Sequence, residues 1–436
     1  MRPALAAAVT CLTLTLAPRV EALDDALGST ATTEQRILEL EHRQRVLESI
    51  VERAPRSAKP WSRTGFWLMS PDDTFRLRLG GVVQVDERAF VSQAPPGADQ
   101  FLVRRARIYI EGVVQDHIEY RVLPDFAAGQ PLIQEAWIDF NYWPEFRIQA
   151  GKMKEPLSLE RLQADVETLF IERALTADVA PNRDEGVAAH GALFSRRIDY
   201  TVALVNGAAD GASIDNDSDN NKDVVARLFA TPFAGSDSDI WEGLGFGVGG
   251  SLGRQRDGGA AGIPTYASEA QQAFFSYSTG VTATGPRRRL TPQAYWRLYN
   301  FGVMAEYIES SQALTKGATS EQLTTRAYQV AGSWMLTGEK RSFDGVKPKV
   351  LFDPHSDHWG ALELAARYSA LWVDRDAFPV FAAATQSARR ADAESLGLNW
   401  YLNGNVRVSV DYLRTLYAGG PSSLEQAVFT RLQMSF

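Results

Sequence analysis

The most constraining feature of this chain is an alternation with a period of two. Phe75, Leu77, Leu79, Gly81, Val83 and Val85 interleave with Arg76, Arg78, Gly80, Val82, Gln84 and Asp86, so an extended segment has one apolar and one polar face. The pattern returns at 105–111, 137–142, 146–150, 361–368, 406–412 and 428–436. The longer runs reach the about 9–11 residues that a tilted strand needs to cross a bilayer. Beyond residue 22 no run of about 18 consecutive apolar residues exists, which excludes a transmembrane helix. Composition hides this design. The chain of 436 residues is 45% hydrophobic and 22% charged, as in a soluble protein, because two opposite faces average out. A net charge of -8 argues against a nucleic-acid partner.

Roughly 17 strand-like stretches are legible. The weakest, around Gln271 to Tyr277, sits inside a long connection and would spoil an even up-and-down count. Setting it aside predicts an all-β fold, a 16-stranded antiparallel transmembrane β-barrel with a short N-terminal periplasmic helix or coiled coil. Connections alternate between short (Gln115-Asp116, 142–145, 195–198, 402–405) and long (155–182, 207–221, 254–287, 371–390). The segment 337–357 is long yet falls on the short-turn side. Aromatic residues cluster near strand ends (Tyr142, Trp143, Trp241, Trp296, Trp359, Trp400), as interfacial girdles do. Leu432, Met434 and Phe436 close the sequence at alternate positions, resembling the recognition signal of outer-membrane barrels.

The N-terminus has a different character. Residues 1–22 read as a signal peptide: Arg2, an apolar stretch from Ala4 to Leu16 too short to span a bilayer, and Val20-Glu21-Ala22 before the cut. The single cysteine, Cys11, lies inside it, so the processed chain has no thiol chemistry. Residues 23–60 hold a helical segment in which Ile37, Leu40, Gln44, Leu47 and Val51 recur at coiled-coil spacing, favouring self-association as a trimer. The stretch from Pro55 to Pro60 then reads as a linker, and 61–436 as the barrel domain.

Alternation also assigns faces. With Ala106, Ile108 and Ile110 toward lipid, Arg105, Arg107, Tyr109 and Glu111 point inward; the same rule places Arg76, Arg78, Arg147 and Gln149 in the lumen. Such arginines either meet a permeating anion or pair with lumen carboxylates such as Asp86, Glu111 and Asp139. One segment breaks the strand pattern. Leu159, Leu162, Val166, Leu169 and Phe170 give Leu157–Ala177 a helical spacing, and Lys152, Lys154, Arg161, Arg173 and Arg183 surround it together with Glu155, Glu160, Asp165, Glu167 and Glu172. This mixed sign argues against a densely basic eyelet. Asp215 to Asp223 lacks glycine at the sixth position and has Ala226 at the twelfth, so it reads as a solvated external loop rather than a calcium loop. Arg287-Arg288-Arg289 reads as the end of an external loop. Neither a GxSxG, P-loop or HExxH string nor a convincing metal cluster is present (His355 and His358 form only a weak pair), so no enzyme, metal or cofactor is expected.

Three strings carry a resemblance: FLVRRARIYIEGVVQDHIEYRVLPDFA (Phe101–Ala127), EAWIDFNYWPEFRIQAGKMKEP (Glu135–Pro156) and TLFIERALTADVAPNRDEGVAAHG (Thr168–Gly191). With WMLTGE (Trp334–Glu339) and the closing strands, they resemble the phosphate-selective porin O and P family of Gram-negative outer membranes. The resemblance implies a trimeric 16-stranded barrel that takes up phosphate or polyphosphate by diffusion. It makes 157–177 the constriction loop, and Arg78, Arg105, Arg107, Arg147, Lys152, Lys154, Arg173 and Arg183 the pore-lining, anion-binding candidates. Expected partners are small phosphate-like anions, outer-membrane lipids and lipopolysaccharide. A general porin, or a structural tether with little transport, is the alternative.

Overall fold

The computed structural model describes residues 66–91, 97–127, 129, 131–217, 220–256, 262–341, 343 and 345–436. The expected signal peptide (1–22) and helical segment and linker (23–60) lie outside them. Sixteen strands form the wall: β1 Phe75–Phe90, β2 Gln100–Val114, β3 Ile118–Asp125, β4 Leu132–Trp143, β5 Phe146–Lys154, β6 Arg183–Leu193, β7 Ile198–Val205 and β8 Asp223–Ala230. They continue with β9 Leu244–Arg256, β10 Val281–Leu298, β11 Phe301–Lys316, β12 Thr319–Met335, β13 Ala361–Trp372, β14 Ala388–Tyr401, β15 Val406–Gly419 and β16 Leu424–Ser435. Each pairs antiparallel with its sequence neighbours, and β16 returns to β1 through Ala427↔Phe90 to Ser435↔Val82. Closure leaves no edge with unpaired backbone groups, the condition for a sheet in lipid. Phe436 completes the seam by exchanging backbone hydrogen bonds with Gly81 at 2.9 and 3.0 Å. A Cβ on Gly80 would lie 2.5 Å from the Phe436 carbonyl oxygen, and one on Gly81 2.7 Å from its ring, so the glycine pair makes room for the seam.

The two faces invert the usual globular arrangement. Inside, Asp86, Glu363, Asp411 and Arg431 are fully buried, whereas outside Ile138 is 48%, Leu396 61% and Leu432 54% exposed. An apolar outer band with a polar interior is what a lipid-immersed barrel requires. Toward the short-turn end, Trp241 stacks on Trp296 (6.0 Å) and Phe301 on Trp334 (5.7 Å), with Trp359 6.3 Å from Trp400. Such aromatic pairs contribute about 1 kcal/mol each beyond their area and sit where interfacial rings are favoured.

The stretch near Gln271 to Tyr277 stays out of the wall. Ala273–Ser276 pairs with Thr265–Ala267 in a separate two-stranded hairpin. The long connection on the short-turn side is also present, joining β12 to β13 over residues 336–360. The wall is uneven: β3, β7 and β8 have 8 residues each, while β10, β11 and β12 have 18, 16 and 17.

Two sequence expectations are overturned. Leu157–Ala177 is not a helix; it contains one turn at Leu159–Leu162 and the start of another at Thr176–Val179, with irregular backbone between. Outside these two turns its carbonyls are taken up by wall and loop side chains rather than by helical amides. Arg287–Arg289 lies inside β10 rather than at a loop end. Gly285 and Pro286 occupy a register shift between β10 and β11, and the strand continues through it.

Candidate pore lumen

Two connections fold into the barrel. The first, residues 155–182, leaves β5 and returns to β6; its base is closed where the Glu155 amide donates to the Asn182 carbonyl at 3.1 Å. Its backbone is held by side chains from strands across the lumen. Gln293 donates to the Leu157 carbonyl (2.8 Å), Gln433 to Val166 (3.0 Å), Arg407 to Thr168 (3.0 Å), Asn399 to Leu169 (2.8 Å), Arg431 to Ile171 (2.8 Å) and Arg367 to Glu172 (3.1 Å). These donors satisfy carbonyls that would otherwise need a helix or water. Of the apolar residues at helical spacing, Leu159 and Phe170 are buried, Phe170 lying beneath the Arg367 guanidinium, 4.2 Å from ring centroid to Cζ. The second infolded connection is the hairpin at 265–276. Glu269 anchors it, accepting from Arg367 and Ser369 at 2.6 Å each. The two meet where the Ala267 amide donates to the Asp178 carboxylate at 2.7 Å.

Between them lies a polar cavity of about 270 Å³. Six arginines line it (Arg104, Arg105, Arg107, Arg161, Arg173 and Arg183) against four carboxylates, Asp165, Glu172, Asp178 and Glu269. Asp165 is the hub. Arg107 hydrogen-bonds it, Arg173 Nη2 approaches to 2.6 Å, Arg105 Nε to 3.6 Å and Arg183 Nη2 to 3.7 Å. Burial alone would raise this carboxyl, but Arg173, Arg105, Arg107 and Lys154 outweigh it and hold it well below the ordinary carboxylate range. Glu172 is a second hub, accepting from Arg88 and Arg104 at 2.7 Å each. Arg88, Arg104 and Arg431 likewise carry it below the ordinary range against the effect of burial. Asp178 behaves oppositely: burial pushes it up to about 7, although the Ala267 amide and Arg161 pull it down.

Residues 77–436 match the sequence profile of the phosphate-selective porin O and P family. The chain belongs to that family. It is a porin, a channel of the Gram-negative outer membrane. It is 22% identical over 387 residues to Porin O of Pseudomonas aeruginosa, an alignment spanning 81% of this chain and 86% of that one. Its fold is similar to the outer membrane channel DcaP of Acinetobacter baumannii (TM-score 0.56, 12% identity, 86% of this chain and 100% of that one). It is also similar to an anion-selective porin from Comamonas acidovorans (TM-score 0.51, 9% identity, 83% and 100%).

Within this porin the eight candidate residues fall into separate places. Arg105, Arg107, Arg173 and Arg183 converge on Asp165. Lys154 lies behind them and donates to the Leu162 and Gln163 carbonyls at 3.3 and 2.7 Å, propping the infolded segment. Lys152 pairs with Asp215. Arg78 pairs with Glu111 on the wall, and Arg147 with Glu119 (2.7 Å) and Asp139 (2.5 Å). Neither Arg78 nor Arg147 lines the cavity.

Strict alternation missed Arg104. A register shift between Gln84 and Val85 of β1 sets Gln84 opposite Arg105 and Val85 opposite Val103, so Arg104 is the extra residue of a bulge and turns inward. It also missed a second arginine cluster. Arg287 Nη2 pairs with Asp223 at 2.8 Å and donates to the Gly207 carbonyl at 2.7 Å; Arg289 pairs with Asp210 at 2.7 Å and donates to the Ala208 carbonyl at 2.8 Å. Asp223 is therefore a buried strand residue, not part of a solvated loop. Glu155 completes this group, pushed up to about 8 by burial against the pull of Arg289.

Proposed function

We propose that this porin is a diffusion channel for small anions, with the arginine-lined cavity between the two infolded connections as its selective region. The observation that carries this reading is the convergence of six arginines on one polar chamber inside the barrel, Arg107 and Arg183 among them also pairing with Asp125 and Glu135. Arg105, Arg107, Arg173 and Arg183 meet the anion there, while Arg78, Arg147, Lys152 and Lys154 tune the field along the wall. Phosphate is the natural member of the class for this family, since a guanidinium fork matches its oxygens. The dense pairing of these arginines with carboxylates favours a second reading, a general anion pore without phosphate preference. Three copies form the working unit, as is usual in the family, with outer-membrane lipids and lipopolysaccharide around the apolar band.

Planar-bilayer recording tests the reading. In a KCl gradient the reversal potential is expected on the anion side. Absence of conductance would sink the channel proposal, and a cation-side potential would remove the anion preference while leaving the pore. Higher chloride than phosphate current at equal activity is the outcome that selects the general-pore reading.

A further inference from the structure

A carboxylate shares with a small oxyanion its charge, its size and its capacity to accept paired hydrogen bonds from guanidinium. Asp165 presents such a group at the convergence of four arginines from three elements: Arg105 and Arg107 on β2, Arg173 on the infolded segment and Arg183 at the start of β6. Both of its oxygens are engaged, Oδ1 by Arg173 and Oδ2 by Arg107, with Arg105 and Arg183 also nearest Oδ2. Its side chain is only 5% exposed, so water does little to weaken these contacts. The four guanidinia thus form a cage of the kind an oxyanion would enter, and the cage is filled by a group carried on the chain.

We infer that Asp165 is a tethered counter-anion: it occupies the oxyanion cage of Arg105, Arg107, Arg173 and Arg183, lets small anions pass without retaining inorganic phosphate, and sets the strength of anion selectivity. This inference rests on the anion-channel reading above and narrows its substrate class to weakly held small anions. A tethered group competes at a local concentration of about millimolar or more, so a free anion of equal intrinsic affinity displaces it only above that level. The charge count runs the same way. Six arginines and four carboxylates line the chamber, Arg107 and Arg183 also pairing with Asp125 and Glu135 behind it, and neutralising Asp165 makes the chamber one charge more positive. The cage itself then becomes available.

The test compares the full-length wild type with Asp165→Asn and Asp165→Glu, titrating inorganic phosphate by calorimetry in detergent and by block of chloride current in bilayers. Wild type and Asp165→Glu are expected to show no saturable phosphate binding below millimolar concentration. Asp165→Asn is expected to bind phosphate at least about tenfold more tightly, with a reversal potential further toward the anion side. Saturable submillimolar binding by wild type, or an Asp165→Asn channel indistinguishable from it, would overturn the inference. If Asp165→Asn does not assemble, the wild-type titration decides alone: saturable binding overturns, its absence supports. A wild-type channel that selects cations defeats the anion reading instead, and calorimetry still reports whether the cage takes phosphate.

Discussion

The porin contains two clusters of similar chemistry and different standing. Around Asp165, four arginines border a cavity; around Asp210 and Asp223, Arg287 and Arg289 have no exposed side-chain surface. In both, guanidinium meets carboxylate at about hydrogen-bond distance. In the sealed cluster the arginines also bind the carbonyls of Gly207 and Ala208, fastening the 206–222 connection to β10. The contrast shows that arginine density inside a barrel does not identify an anion site. What separates a fastening from a filter is whether a space large enough for an ion adjoins the pairs.

The largest effect that would sharpen this contrast is on stability. Arg289→Ala takes the ion-pair partner from Asp210 and a nearby cation from Glu155 and Asp223, and breaking such a buried pair costs about 3–5 kcal/mol. Urea unfolding of the folded barrel should register that loss; a midpoint unchanged from wild type would break the distinction. Next in size, Arg105→Ala with Arg107→Ala lowers the chamber charge by two and should move the reversal potential in a KCl gradient toward zero. An unmoved potential would count against a role for these arginines in selectivity. A smaller effect concerns pH. Asp178, held up to about 7, is largely protonated at pH 6 and ionised at pH 8, so chamber charge falls by almost one unit as pH rises. Arg161, Glu172 and Glu269 are the charged groups that face it. Anion preference should therefore weaken from pH 6 to 8, and Asp178→Asn should abolish the step; a step that survives assigns the titration elsewhere. Smallest of all, Arg147→Ala should shift the reversal potential less than either change above, because its ion pairs lie outside the cavity; an equal shift would break the distinction between wall and chamber.

Much of the fold was legible because its rule is local. Period-two alternation declares strand and face residue by residue, and it placed Arg105 and Arg107 inward, set aside the stretch near Gln271 and located the long 337–357 connection. Where the reading missed, the cause was a departure from strict alternation or a partner distant in sequence. The bulge opposite Gln84 put two successive arginines, Arg104 and Arg105, on one face. Arg287–Arg289 reads as the end of the 254–287 connection, yet β10 begins at Val281 and absorbs Gly285-Pro286 in a register shift. The helical spacing in 157–177 was genuine as a pattern, but side chains of distant strands hold the carbonyls of the segment and only single turns form. That Asp165 meets Arg105, Arg107 and Arg183 follows from chain closure in space, which no spacing within the sequence encodes.

The infolded 155–182 segment has a mechanical consequence. Its backbone is tied to β10 through Gln293, to β13 through Arg367, to β14 through Asn399, to β15 through Arg407 and to β16 through Arg431 and Gln433, while both its ends are rooted in β5 and β6. A hoop with a spoke resists flattening in a way an empty hoop does not. Lateral pressure from the bilayer therefore loads this strut before it reaches the cavity, and the bore keeps its dimensions when the surrounding lipid is compressed or stretched.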